Sequence, residues 1–460
     1  MTKKLPGFHT AVNLRRYTSS MHIFFDITKV QQVDLLANWL DLSDIVNLDS
    51  ATCSRQWRPE FLELLSSPEL VLLKCFEFYE ENSETWVIKR KIFFTEVILR
   101  YKTLSNDVTR DALFRVIGPK LQSLILDCGQ VSHRADDDGP ALQIDQILID
   151  VAENCSNLRR IDIHSAHLDG TLSVVIRANR LLEVVAINRC TNILSGVLKT
   201  IVSLPCLSEF SLTNSGVTDT VPVVEPNRTC QKLTIRYCKI KPNLVAWLCQ
   251  FMLNLTEIYV DVQTGLELVN IACFCPHVTV AFGVLTDALT DAEVRAIAEH
   301  WQSIEVLVLL RRVDLHTKGN RHQPACRESA AMIFIDQCHS LLQLKLSSSE
   351  WTDQSRSSRF FNLADYDYQN AALSKMDISH SRLTDLCVPS LSAQNLAAIV
   401  QKCVYLNTLR ILHPSPIAVD SNAAEFALHH LANTNVKALY LKNCKTITLQ
   451  YPSLGIAKYC

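Results

Sequence analysis

The side-chain types that could do chemistry are present in this chain but are not gathered into a reacting set. The nearest approach to a metal motif is Cys273-Phe-Cys275-Pro-His277. A zinc site needs about four ligands, usually with a second pair such as Cys-x-x-Cys, and no Cys-x-x-Cys occurs in the chain. Neither a Gly-x-Ser-x-Gly elbow nor a phosphate-cradling glycine loop is present, and 11 glycines in 460 residues leave little material for one. His429-His430 sits in a helix-like stretch from Phe426 to Leu431, and the alternating charges from Asp291 to His300 suit an outward helix face. The expectation is a protein that is not an enzyme and has no cofactor and no metal.

The elements that position these residues follow one repeated pattern: an apolar residue, two freer ones, an apolar one, one free and another apolar. Clear copies are Leu158/Ile161/Ile163, Leu182/Val185/Ile187, Leu207/Phe210/Leu212, Leu255/Ile258/Val260, Ile304/Leu307/Leu309, Leu341/Leu344/Leu346, Leu406/Leu409/Ile411 and Val436/Leu439/Leu441. Weaker copies are Phe94/Val97/Leu99, Leu121/Leu124/Leu126, Cys230/Leu233/Ile235, Cys275/Val278/Val280 and Leu373/Met376/Ile378. Each copy is a short strand leading to a helix, and no single copy can bury its own apolar face. Stacked neighbours create the shared core.

Cys190, Cys238 and Cys444 occupy the ninth position of their copies, while Cys155, Cys338 and Cys403 recur three residues before a strand. This resembles the cysteine-containing class of leucine-rich repeat, and covers about three quarters of the chain. The resemblance implies an α/β leucine-rich-repeat solenoid, a curved column with a parallel inner sheet and outer helices, of about 13 repeats over residues 71–460. It also implies that both kinds of cysteine point into the column, where a small thiol packs well.

Alternation along a strand sends the free residues to the hollow side of the sheet. Those singled out as a partner-binding concave face are Arg236, Tyr259, Lys345, Arg410, Tyr440 and Lys442. Clustered arginine, lysine and tyrosine on a rigid surface suit a protein partner with an acidic segment.

Ahead of the repeats, residues 31–70 carry three short amphipathic stripes: Leu35/Leu36/Trp39/Leu40, Ile45/Val46/Leu48/Ala51 and Trp57/Phe61/Leu62/Leu65. The order Trp39-Leu40, Leu42-Ser-Asp44-Ile45, Leu48, Cys53, Arg55, Trp57 resembles the F-box. The family's opening leucine-proline is replaced by Phe25-Asp26-Ile27-Thr28. That resemblance implies a Skp-type adaptor as partner, docked through Leu40, Leu42, Ile45, Val46 and Trp57, and a substrate-recognition role in a Skp-cullin-F-box ubiquitin ligase. The alternative is a scaffold or assembly factor, cytosolic or mitochondrial, whose N-terminal helices only cap the first repeat's open edge.

Composition narrows the field. Lys+Arg 45 against Asp+Glu 47 gives no bulk attraction to nucleic acid. Charges interrupt every apolar run, so no membrane span is expected. The 17 cysteines fall on repeat positions and the start of the chain lacks an apolar signal segment, which fits reduced thiols and a cytoplasmic location. Residues 1–30 form a basic tail with Lys3, Lys4, Arg15 and Arg16, and Arg15-Arg16-Tyr17 before hydroxyl residues also resembles a mitochondrial presequence site. Three insertions, Gln130 to Pro140, Arg311 to Arg327 and Ser347 to Tyr368 with Trp351, are candidate extensions of a binding surface.

Overall fold

In the computed structural model of the chain, described residues are 24–129, 142–311 and 328–348, less 39, 41, 53–56, 68, 74–75, 78–82, 105, 130–141, 169, 218–224 and 241–243; beyond them come 382–388, Ile399, 403–411, Val436 and 438–441. The chain divides into two compact units, residues 1–207 with 215–222, and residues 208–214 with 223–460.

The first unit begins with helices Lys29–Asn38, Leu42–Ala51 and Arg58–Leu65. Strands β1 (Val71–Leu72), β2 (Phe76–Glu77), β3 (Phe93–Phe94), β4 (Glu96–Arg100), β5 (Ser123–Asp127), β6 (Leu142–Gln143), β7 (Arg160–His164), β8 (Ala166–His167) and β9 (Val184–Asn188) follow. The main ladder runs β2-β4-β5-β7-β9 and every pairing is parallel. Two small parallel pairs, β1-β3 and β6-β8, stand beside it. The rung at Phe76–Glu77 is one more than the sequence pattern predicts.

In the second unit, strands β10 (Glu209–Thr213), β11 (Lys232–Arg236), β12 (Glu257–Val262), β13 (Val280–Leu285), β14 (Val306–Arg311), β15 (Gln343–Ser348), β16 (Asp385–Val388), β17 (Thr408–Ile411) and β18 (Ala438–Leu441) pair in chain order, again all parallel. Both units are therefore leucine-rich-repeat stacks, and the fold is an α/β leucine-rich-repeat solenoid. Inward strand residues such as Leu233, Ile258, Leu307 and Leu344 are buried with the apolar faces of the intervening helices. The residue after a strand repeatedly takes a left-handed backbone: Ser165, Arg189, Asn214 and Tyr237 have φ of 56°, 54°, 50° and 56°. Recurrence at equivalent places makes this turn part of the repeat's architecture.

Register corrects the sequence reading at two copies. Ile258 and Val260 align with Ala281 and Gly283, so the eighth copy is led by Val278, and Val280 faces outward. Cys275 is instead the cap of helix Gly265–Phe274, its N–H donating to the Ile271 carbonyl. It thereby joins Cys155, Cys338 and Cys403, whose N–H groups donate to Val151, Phe334 and Ile399 in the same way. All four are buried, and burial pushes the Cys155 and Cys338 thiols up to about 12. At the eleventh copy the strand paired with β15 belongs to Leu383/Leu386/Val388; Leu373/Met376/Ile378 lies outside the described residues.

Candidate functional site

The side of the sheet turned away from the helices carries alternate residues of each strand, and in the second unit their order across the ladder is uneven. Strands β10 to β12 present Glu209, Lys232, Arg236, Glu257, Tyr259 and Asp261. Strands β13 and β14 present Val280, Phe282, Val306 and Val308, all half-buried where inward neighbours are fully buried. Further on, Lys345, Cys387, Arg410 and Tyr440 occupy one continuous row, each aligned with the next. The same row reaches back through Val308 and Phe282 to Tyr259.

At the first flank, charges and rings interlock. Lys232 Nζ lies 3.0 Å from Glu209 Oε1 and 5.8 Å from the Tyr259 ring centre. The hydrogen bond from Lys232 to Glu209 holds the ammonium above its ordinary pKa, assisted by the charge of Glu257. The Tyr259 hydroxyl donates to Glu257 at 3.4 Å, and its ring stacks on Phe282 with centres 6.3 Å apart. Burial, then the Glu257 charge, pushes the Tyr259 phenol up. The Arg236 guanidinium sits 4.5 Å from the Phe282 ring centre and 4.8 Å from that of Tyr237. Its Nε is 3.5 Å from Asp261 Oδ1, an ion pair without a hydrogen bond, and both atoms are buried with no hydrogen-bond partner. Asp261 uses its other oxygen to accept the Tyr237 N–H at 2.6 Å. The rings thus hold Arg236 in place and leave hydrogen-bonding capacity unspent on both members of the pair.

At the second flank, Lys345 is half-buried, Arg410 exposed and Cys387 buried between them in register. Burial raises the Cys387 thiol, opposed by the two cations. Asp385, two residues before Cys387 on the same strand, is the carboxylate of this flank among the described residues and accepts the Thr384 hydroxyl at 2.9 Å.

Of the expected partner-face residues, Arg236, Tyr259, Lys345 and Arg410 are on the side turned away from the helices; Tyr440 is aligned with Arg410, and Lys442 is outside the described residues. Phe282 and the three valines were missed by sequence reasoning. Val306 and Val308 occupy free positions of a copy that was correctly placed, so an apolar residue at a free position was the available signal.

Among the adaptor-face residues, Leu42 and Ile45 are buried, while Leu40, Val46 and Trp57 are half-buried. Trp39, Cys53 and Arg55 lie outside the described residues. Phe25, which stands where the F-box opening would be, stacks on Trp57 with ring centres 4.8 Å apart and planes 11° apart. Asp49 is buried and ties these helices to helix Ser83–Arg90, accepting from Trp86 Nε1 at 2.9 Å and Arg90 Nε at 3.1 Å. Arg58 also pairs with it.

Cys190 is buried as expected and its thiol is pushed up to about 11 by burial. Cys238 is only half-buried, its Sγ within 3.3 Å of the Leu212 and Arg236 carbonyls; Cys444 is outside the described residues. In the would-be metal motif, Cys275 is turned inward while Cys273 and His277 are exposed. No cluster of His, Cys, Asp and Glu able to hold a metal occurs among the described residues, and no helix among them is long and apolar enough to cross a membrane. Residues 1–23 of the basic tail, the loops at 130–140, 312–327 and 349–368 and His429-His430 are outside the described residues.

No family model matches the sequence, and no curated protein does. Among solved structures, the chain is similar to one in the Rad7–Elc1 complex of yeast, at 12% identity and a TM-score of 0.43, covering 98% of each chain. It is also similar to a chain of a TLR13–ssRNA13 complex, at 12% identity and a TM-score of 0.44, over 81% of this chain and 52% of that one. A chain of the Drosophila Toll–Spatzle complex gives 13% identity and a TM-score of 0.44, over 80% of this chain and 44% of that one. The repeat assignment rests on the strand register itself.

Proposed function

We propose that this chain is a protein-interaction receptor, a binding protein and not a catalyst, that reads its partner with the helix-free side of the second unit. The observation that carries the reading is the half-buried stripe Val280, Phe282, Val306 and Val308, flanked by charged residues. Apolar groups left at a surface and rimmed by polar ones are the usual make-up of an interface, with aromatic and arginine anchors contributing most. We further propose that the N-terminal helices dock a Skp-type adaptor, which makes the chain the substrate-recognition subunit of a cytoplasmic Skp-cullin-F-box ubiquitin ligase. Half-buried Leu40, Val46 and Trp57 support the docking surface.

A second reading has its own support. Leu42 and Ile45 are committed to the interior, and Asp49 anchors the helices to the segment leading into the repeats, as a cap-only role in a scaffold protein requires. Co-expression with a Skp-type adaptor separates the two. The ligase reading expects a stoichiometric complex that Val46→Asp disrupts without unfolding the chain; absence of any complex leaves the scaffold reading.

A further inference from the structure

The helix-free side of the second unit is chemically polar in one direction, and that direction restricts what it can read. The flank on β10 to β12 holds three carboxylates, Glu209, Glu257 and Asp261, against two cations. Both cations are engaged, Lys232 by Glu209 and Arg236 by Asp261 and two rings. Among the described residues, the flank on β15 to β17 holds two cations, Lys345 and Arg410, and one carboxylate, Asp385, which accepts the Thr384 hydroxyl. Between them lie only apolar side chains, Val280, Phe282, Val306 and Val308.

From this arrangement we infer that the receptor binds an extended protein segment running across the strands, with a basic residue over Glu257, apolar residues over the stripe and an acidic residue over Lys345. The inference rests on the receptor reading of the same face and adds the pattern and polarity of the partner. Opposite charges at both ends favour this alignment, and turning the segment around sets base on base and acid on acid, which is how charge placement supplies specificity.

The spacing follows from sheet geometry. Strands in a ladder are about 4.8 Å apart, so Lys345 lies roughly 15 Å from the β12 carboxylates. An extended chain advances about 3.3 Å per residue, which places the acid about four to five residues from the base. The half-buried Glu257 carboxylate, which accepts the Tyr259 hydroxyl at 3.4 Å, provides a place for the incoming cation, and the Tyr259 and Phe282 rings give its stem an apolar track.

The test uses the full chain and a peptide library displayed on phage. Selected sequences are synthesised with a fluorophore and titrated by anisotropy, alongside the same residues in reversed order. The expected result is enrichment of a base and an acid about four to five residues apart with an apolar centre between them, and reversed peptides at least about tenfold weaker. The double reversal Glu257→Lys with Lys345→Glu should exchange the preference between the two orders. Peptides that are uniformly acidic or uniformly basic, or no enrichment at all, overturn the inference. Val308→Asp, and Phe282→Ser as a second variant checked for an intact melt, separate the layers of the argument. If both variants weaken peptides at least about tenfold while the charge reversal leaves order preference unchanged, the receptor reading stands and the polarity falls. Peptides indifferent to both variants bind elsewhere, and both ideas fall.

Discussion

Two arginine–aspartate pairs in this molecule show how the same chemistry serves opposite ends. In the first unit Arg110 is 4% exposed, with Nε donating to Asp150 at 2.8 Å and Nη1 to the Leu104 carbonyl at 2.8 Å and to Asp107 at 2.6 Å. It joins helix Asp107–Ile117 to helix Asp145–Asn154 inside the stack. In the second unit Arg236 and Asp261 are 24% and 16% exposed, 3.5 Å apart, and each retains an unpartnered atom. A buried pair closed by hydrogen bonds to both helices belongs to the fold; a pair held by rings at a surface, with capacity left over, suits a partner.

Breaking the interior should cost most. Arg110→Ala strands the Asp150 carboxylate and should destabilise the first unit by about 3–5 kcal/mol, read by denaturant melts. Leu344→Asp, which puts a carboxylate at a 1% exposed core position, should unfold the neighbouring repeats, since an unpaired buried charge costs several kcal/mol. An unchanged melt would count against the register assigned to β15.

Arg236→Ala is the counterpart on the exposed side. It removes a part-exposed pair with no hydrogen bond between its members and should cost stability about 1 kcal/mol, while leaving peptide affinity undiminished, since it takes a cation away from the acidic flank. A melt shift as large as that of Arg110→Ala would erase the distinction. Binding should also weaken moderately as salt rises, because charges at the flanks are screened over roughly 10 Å at 0.1 M; salt-independent binding would leave the apolar stripe as the sole recognition element.

The smallest effect concerns the thiols. Burial keeps Cys155, Cys190 and Cys338 protonated and out of reach, so a maleimide added to the native chain at pH 8 should label exposed Cys273 and leave these three until the chain is unfolded. Mass spectrometry of the labelled peptides reads this directly.

The strands were legible in the sequence because large apolar residues at alternate positions leave few other structures open, and Arg236 and Tyr259 followed from that alternation. The centre of the site was hidden by a local departure from the same rule. In β13 the inward positions are Ala281 and Gly283, and a Cβ added at Gly283 would lie 3.1 Å from Leu309 Cδ2. Small residues there accommodate the next strand's leucine, so the large-apolar template slides three residues back, onto Cys275. The slide turned Val280 inward on paper and passed over Phe282. Leu383/Leu386/Val388 was missed for a different reason, since Leu373/Met376/Ile378 fits the same template nearby. Leu42 and Ile45 illustrate a further limit: amphipathic spacing marks an apolar face without saying whether it packs inward or meets another protein.

The central claim is that the stripe on β13 and β14 recognises a partner and does not hold the fold together. It is tested most directly by measuring melting temperature and peptide affinity together on Phe282→Ser. The account predicts a melt within about 4 °C of the parent, equivalent to roughly 1 kcal/mol in a unit of this size, with affinity at least about tenfold lower. A melt lowered by about 10 °C or more, or peptide affinity equal to the parent's, would contradict it.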